Sequence, residues 1–296
     1  MYKEAIRPAW VEVNLGNFDY NIKQIKAKAQ GRDLIGVIKA DAYGHGSVRC
    51  AEVLRSNGVS KFAVATLQEA ITLRNAGADE EIICLGLTPD MYADTLIDYD
   101  VTPVVCSSDN AEAISDAAAV KGKIVSALIA VDTGMGRIGY LADDIETAVM
   151  DVRKIASLPN LKIRGLFSHM STADAADKTY SHDQEAKFNT FYEALTKAGI
   201  KFPIRTLANS ASIMELPSIL FDEVRPGIIQ YGLYPSHEVD PAQLSLKPVM
   251  SVKANIVHLK DVPENFSVGY GRRYISDKPS RIATLGLGYA DGYPRP

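Results

Sequence analysis

The 296-residue sequence contains no run of about 18 uninterrupted apolar residues, the length that a bilayer-spanning helix requires. Its start, MYKEAIRPAW, lacks the apolar segment of a secretory signal. A cytoplasmic chain with no membrane association is therefore expected. Runs of like charge are also missing: 32 Lys and Arg stand against 36 Asp and Glu, a formal net charge of -4, with no block of five or six charges of one sign. Such a surface offers no electrostatic footprint for nucleic acid or anionic lipid. Cysteine is scarce. Cys50, Cys84 and Cys106 lie far apart without CxxC spacing, and the latter two sit in apolar strand-like runs, which suits small buried hydrophobes and gives no metal site. Internal repeats, low-complexity segments and an obvious flexible linker are lacking too. What remains is an ordinary globular composition, 47% hydrophobic, sufficient for one large core or one domain and part of another.

Short β-branched runs recur along the chain with helical periodicity between them, the signature of a parallel α/β fold. They fall at 33–41, 61–66, 80–86, 101–107, 124–133, 162–170, 204–210 and 223–232. One connection is legible in full: Thr66 and Glu69 form a capping box, Leu67, Ala70 and Ile71 line a helix face, and Gly77 ends the helix. Phe188, Phe191, Tyr192 and Leu195 fall at i, i+3, i+4 and i+7 and predict a second amphipathic helix that covers the sheet. Eight strand-helix units in about 200 residues match a TIM (β/α)8 barrel, with a doubly wound open sheet as the alternative. Polar residues cluster after the strands, where barrels build their sites: Lys39, Thr66, Arg137, His169, Asn209 with Ser210, and Arg225 with Gly227.

Beyond about residue 240 the pattern changes to period two, with Met250, Val252, Ala254 and Ile256 alternating with their neighbours. That alternation predicts an antiparallel β domain. The expected division is a barrel over 1–240, whose first strand at about 8–15 pairs with the β domain, and the beginning of that domain over 241–296.

Lys39 ends an apolar strand in VIKADAYGHG. A buried amine loses its charge and becomes nucleophilic near neutral pH, able to form a Schiff base with an aldehyde. Taken singly, most strand-end lysines are solvated charges. The flanking residues decide otherwise. IKADAYGHG closely resembles the cofactor-lysine motif of the alanine racemase family, fold-type III pyridoxal-phosphate enzymes, and VDTGMGRIG, FSHMSTAD, TLANSAS, EVRPGIIQYG and SVGYGRRY resemble further family motifs in the same order.

The resemblance implies that Lys39 carries pyridoxal 5'-phosphate and serves one face of the substrate as a base. It implies Tyr43 as a phosphate ligand, His169 against the pyridine face, Asn209, Ser210, Gly227 and Ile228 around the phosphate, and Arg137 beside the substrate and the cofactor's phenolic oxygen. Arg225 is implied as the partner of the ring nitrogen. Since an arginine keeps its proton, that nitrogen stays largely neutral and the ring is a weaker electron sink, which favours racemisation over transamination. Tyr270 takes the second catalytic position, reached from a partner subunit. With an ordinary pKa of about 10, it needs Arg137 or His169 nearby to act as a base near neutrality.

The sequence departs from the family in two places. Where members often carry a carbamylated lysine that supports the arginine, this chain has Ala130. An alanine supplies no charge, so Arg137 needs another anion, a water network or a different carboxylate, and a small bound anion such as chloride is expected near Ala130. Family members also continue past GLGYADGYPR, which holds Tyr289 and Asp291, so the resemblance implies a chain truncated within its β domain.

The function implied is a homodimeric racemase that interconverts L- and D-alanine and supplies D-alanine for peptidoglycan. A serine or broad-specificity racemase, a related decarboxylase, and a pyridoxal-phosphate-binding protein without turnover are the alternatives.

Overall fold

The computed structural model describes residues 8–294. The described chain divides into two compact units, one of residues 15–249 and one that joins residues 8–14 to 250–294.

The larger unit is a closed parallel barrel, and each of the eight β-branched runs supplies a strand. In chain order these are Asp33–Leu34 continuing as Gly36–Val37, Lys61–Val64, Glu81–Cys84, Val101–Val105, Val125–Asp132, Leu161–Phe167, Ile204–Thr206 and Glu223–Val224. Each pairs in parallel with the next from Gly36–Val37 to Ile204–Thr206. The eighth strand closes the ring. Glu223 and Val224 register with Asp33 and Leu34 of the first strand, while Asp222 N–H donates to the Arg205 carbonyl and Arg225 N–H to the Ala208 carbonyl beside the seventh. An open sheet is excluded by that closure.

Period-two alternation sends Ile35, Val37, Ala63, Ile83, Val104, Leu128, Ala130 and Phe167 into the interior as one apolar cluster. Near the strands' N-terminal ends the filling is ionic. Lys61 Nζ lies 2.7 Å from Glu223 Oε1 and 2.6 Å from Asp33 Oδ2, and Arg164 bonds both Glu223 and Glu81.

Between the strands, the predicted capping box is present, with Glu69 N–H donating to Thr66 Oγ1 at 3.3 Å and Thr66 N–H to Glu69 Oε2 at 3.2 Å. The helix it starts, Leu67–Asn75, ends at Gly77, whose φ of +84° is the left-handed value glycine tolerates. Along Thr179–Lys197, Phe188, Phe191 and Leu195 are fully buried.

Two runs read as continuous strands break early. The first leaves the sheet at Val37 for a tight turn over Lys39–Gly44, and the eighth stops at Val224 because Pro226 has no N–H for a ladder, after which Ile228–Tyr231 forms a 3-10 turn. The break between units falls at 249/250 and not at 240/241: Lys247 N–H donates to Asn21 Oδ1 and Val249 N–H to the Tyr231 carbonyl, tying this stretch to the barrel.

The smaller unit consists of antiparallel pairs. Ala9–Val13 pairs with Met250–Ala254, Ile256–Val262 with Ser280–Leu285, and Ser267–Val268 with Tyr274–Ile275. Tyr289 and Asp291 lie in a 3-10 turn, where Asp291 Oδ2 accepts the Gly288 N–H.

Candidate active site

A cavity of about 530 Å³ opens at the C-terminal ends of the barrel strands. Its wall brings together Lys39, Tyr43, Arg137, His169, Asn209, Ser210, Arg225, Gly227 and Ile228. These nine come from loops after the first, fifth, sixth, seventh and eighth strands.

Lys39 begins a turn of unusual hand. Ala40, Asp41, Ala42 and Tyr43 have φ of 50°, 50°, 54° and 53°, one left-handed turn without a glycine. For residues with a Cβ this costs about 1–2 kcal/mol each, so fixed contacts must hold it. Ala40 N–H donates to Glu69 Oε1 at 2.8 Å and Ala42 N–H to the Ile38 carbonyl at 2.9 Å. Burial, then the nearby Arg137, hold the pKa of Lys39 below the ordinary lysine value, with Glu69 opposing. This favours the neutral, nucleophilic amine.

Arg225, buried to 3% exposure, is fixed on several sides. Its Nη1 donates to Thr206 Oγ1 and its Nη2 to the Ser168 and Leu207 carbonyls, while the guanidinium lies 4.5 Å from the Phe167 ring centre. Burial lowers its pKa and Glu223 opposes the shift. His169 is pushed down to about 3 by burial and by the charges of Arg225, Arg137 and Lys39, so its ring is neutral at pH 7. Its Nδ1 lies 3.5 Å from Arg225 Nη2. Because arginine can only donate, that nitrogen is the lone-pair side and the ring proton sits on Nε2.

Across the cavity Gly227 N–H donates to Ser210 Oγ at 2.9 Å. A Cβ on Gly227 would stand 3.0 Å from Tyr43 Oη and 3.7 Å from Ser210 Oγ, so glycine keeps space open between the two hydroxyls. Asn209 caps the helix Ser210–Glu215 through the Ser212 N–H. The first amides of that helix and of the turn Ile228–Tyr231 have no acceptor within their own turns. Two hydroxyls and several backbone donors around a small gap form a cradle suited to a phosphate.

Arg137 sits on a loop wrapped around Asp132, whose Oδ1 accepts the Gly134 and Gly136 N–H groups and whose Oδ2 accepts the Arg137 N–H. Its side chain is exposed while lining the cavity. Among the described residues no carboxylate pairs with its guanidinium. The anion expected near Ala130 has no place: Ala130 is 0% exposed, enclosed by Leu128, Val104, Phe167 and the rest of the apolar cluster. The strand's inward alternation turns its methyl into the barrel, where an ion would lose hydration without gaining donors.

The tenth candidate, Tyr270, belongs to the smaller unit, where it lies in a 3-10 turn and is 79% exposed. Sequence reasoning overlooked Glu69 as a site residue. Beyond its capping role it accepts Ala65 N–H through Oε2 and Ala40 N–H through Oε1, binding the second strand's end to the turn after Lys39. A contact across 29 residues leaves no local pattern. Leu85, Met135, Ser171 and Asp174 also line the cavity and carried no signal of their own.

A parallel eight-stranded barrel with a lysine held below its ordinary pKa after its first strand, and hydroxyl and amide donors grouped after its seventh and eighth, has the form of a barrel enzyme with its site at the strands' C-terminal ends. The profile of the alanine racemase N-terminal domain matches residues 13–235, and that of the C-terminal domain matches 249–296. An alanine racemase of Clostridium kluyveri is 51% identical over 99% of this chain and 74% of its own length, and one of Clostridium novyi 47% identical over 100% and 76%. The solved alanine racemase of Clostridium difficile superposes with a TM-score of 0.93 at 36% identity, covering 99% of this chain and 76% of that one. This chain belongs to the alanine racemase family and is an amino-acid racemase.

Proposed function

We propose that the protein interconverts L- and D-alanine with pyridoxal 5'-phosphate, in the cytoplasm, as a homodimer that supplies D-alanine for peptidoglycan. The observation that carries this reading is the meeting of Lys39, Arg225 and the Tyr43–Ser210–Gly227 cradle in one cavity. The residues fit the cofactor's three polar features: an amine held below its ordinary pKa for the aldehyde, hydroxyls and amides for the phosphate, and a fixed guanidinium for the ring nitrogen. When bound, pyridoxal phosphate supplies the electron-withdrawing system that acidifies the substrate's α-hydrogen.

Lys39 would hold the cofactor and would move a proton at its own Nζ on one face of the substrate. Tyr270 of a second copy moves a proton through its phenolic oxygen on the other face. Two bases facing opposite sides of one carbon give inversion, since each enantiomer presents its hydrogen to one of them. Arg137 orients the substrate and lowers the cost of a tyrosinate. His169, neutral, would pack against the cofactor ring, and Arg225 would donate to its nitrogen without surrendering its proton. Asn209 and Ile228 complete the phosphate's surroundings.

The test is borohydride reduction of the cofactor-loaded protein followed by peptide mapping, together with product chirality assays on alanine, serine and other amino acids. Label on Lys39 and fastest racemisation of alanine are expected. Label on another residue would refute the cofactor assignment, and serine turned over as fast as alanine would refute the substrate.

A further inference from the structure

The left-handed turn from Ala40 to Tyr43 separates two cavity residues, and the chain that follows also bonds it: His45 N–H donates to the Ala42 carbonyl at 3.0 Å, Gly46 N–H to the Asp41 carbonyl at 2.9 Å and Ser47 N–H to Asp41 Oδ1 at 2.7 Å. The His45 side chain adds to these bonds and alone reaches the Tyr43 carbonyl. His45 Nδ1 lies 2.9 Å from the Ala42 carbonyl and 3.0 Å from the Tyr43 carbonyl. Both oxygens are acceptors, so Nδ1 carries the ring proton and donates to the C-terminal half of the turn. The His45 ring, 9% exposed, stacks on Tyr231 with centres 4.5 Å apart. Tyr231 in turn meets the Tyr43 ring at 4.9 Å and donates its hydroxyl to the Val37 carbonyl at 2.8 Å, on the strand that leads to Lys39. His45 does not line the cavity and so acts only through the turn.

We propose that His45 is a positioning residue that holds the left-handed turn and thereby fixes the spacing between the Lys39 amine and the Tyr43 hydroxyl. The inference rests on the reading that these two groups hold opposite ends of the cofactor. Histidine combines the two properties the place requires, an aromatic face for Tyr231 and an N–H one bond from Cγ for the two carbonyls. Phenylalanine keeps only the face. Asparagine places a side-chain N–H in an equivalent position and keeps only the donor.

With the turn relaxed, Lys39 would still meet an aldehyde, but the phosphate end would lose Tyr43. The experiment therefore titrates the cofactor-free protein with pyridoxal 5'-phosphate and, in parallel, with pyridoxal, which has no phosphate. His45→Phe should weaken pyridoxal phosphate about tenfold, the factor that about 1.4 kcal/mol sets, and leave pyridoxal within about twofold. Ala42→Gly added to His45→Phe should restore much of the loss, because glycine holds a left-handed φ without strain. His45→Asn, with its donor kept, should stay within about threefold of the parent.

Unchanged pyridoxal phosphate affinity in His45→Phe, or equal loss of both ligands, overturns the proposal. Should His45→Phe not fold, a tenfold or greater loss of pyridoxal phosphate affinity in His45→Asn overturns it, and retention supports it. Tyr43→Phe is the control on the underlying reading: it should weaken pyridoxal phosphate and spare pyridoxal. If it spares both, the cofactor assignment has failed, a result distinct from failure of the His45 assignment.

Discussion

Tyr180 donates its hydroxyl hydrogen to the Gly134 carbonyl at 2.9 Å, fastening the start of the helix Thr179–Lys197 to the loop that presents Arg137. Gly134 has φ of 131°, and a Cβ there would stand 2.3 Å from that hydroxyl oxygen. Tyr180→Phe should loosen the loop and reduce kcat/KM by about threefold to tenfold, with a smaller effect on stability, as expected for one partly exposed hydrogen bond. Gly134→Ala should be worse. Combined, the two changes should cost less than their sum, because removing the hydroxyl removes the shortest contact and leaves the ring carbon at 3.0 Å; strict additivity in a double-mutant cycle would show that the contact does not hold the loop.

His169 gives the protein a defined response to acid. Its folded pKa of about 3 lies below the ordinary 6.5, so between those values the unfolded chain binds a proton that the folded chain refuses. Stability from this group is complete above pH 6.5 and declines as pH falls toward 3, at a limiting slope of about 1.4 kcal/mol per pH unit. Denaturant unfolding of the parent and of His169→Gln across this range measures the difference. The variant should lose stability less steeply; parallel curves would remove His169 as the cause.

Glu223, with 0% exposure, accepts from both Lys61 and Arg164 at the N-terminal end of the barrel. Glu223→Gln leaves two partly buried cations with too little negative charge and should destabilise the protein by about 3 kcal/mol. Adding Lys61→Met should recover part of that loss by removing one of the cations. Urea midpoints of the single and double variants check both statements.

Sharing of the site between two copies is testable by mixing. Lys39→Ala and Tyr270→Phe variants should each be nearly inactive alone, since each removes one of the two proposed bases. Co-refolded, they should regain activity as mixed dimers, in which one site keeps both bases. No recovery in a demonstrated heterodimer would place both bases on one chain.

The barrel was legible because its signals are local: β-branched runs of strand length, a Thr66–Glu69 capping box, and the Phe188–Leu195 stripe each depend on neighbours in sequence. The strand ends were less so. Nothing in KADAY marks a left-handed turn, since its residues have ordinary right-handed preferences and the contacts that meet it come from Glu69, from His45 and from backbone amides. The expected anion at Ala130 failed for a related reason. Motif position indicated what was missing, but the strand's alternation, which turns that position into the apolar interior, decides what can occupy it. Conversely, the cavity residues were found through motifs whose members come from separate loops, and the closed barrel explains why such scattered segments meet.

That closure also orders events in the life of the chain. The eighth strand pairs with the first, so Lys39 and Arg225 follow the ends of neighbouring strands although one is synthesised early and the other late. A ribosome-bound chain that has not yet released Arg225 holds an amine but no complete pocket around it. Capture of the cofactor would then report that the ring has shut, making a small-molecule ligand a record of finished folding.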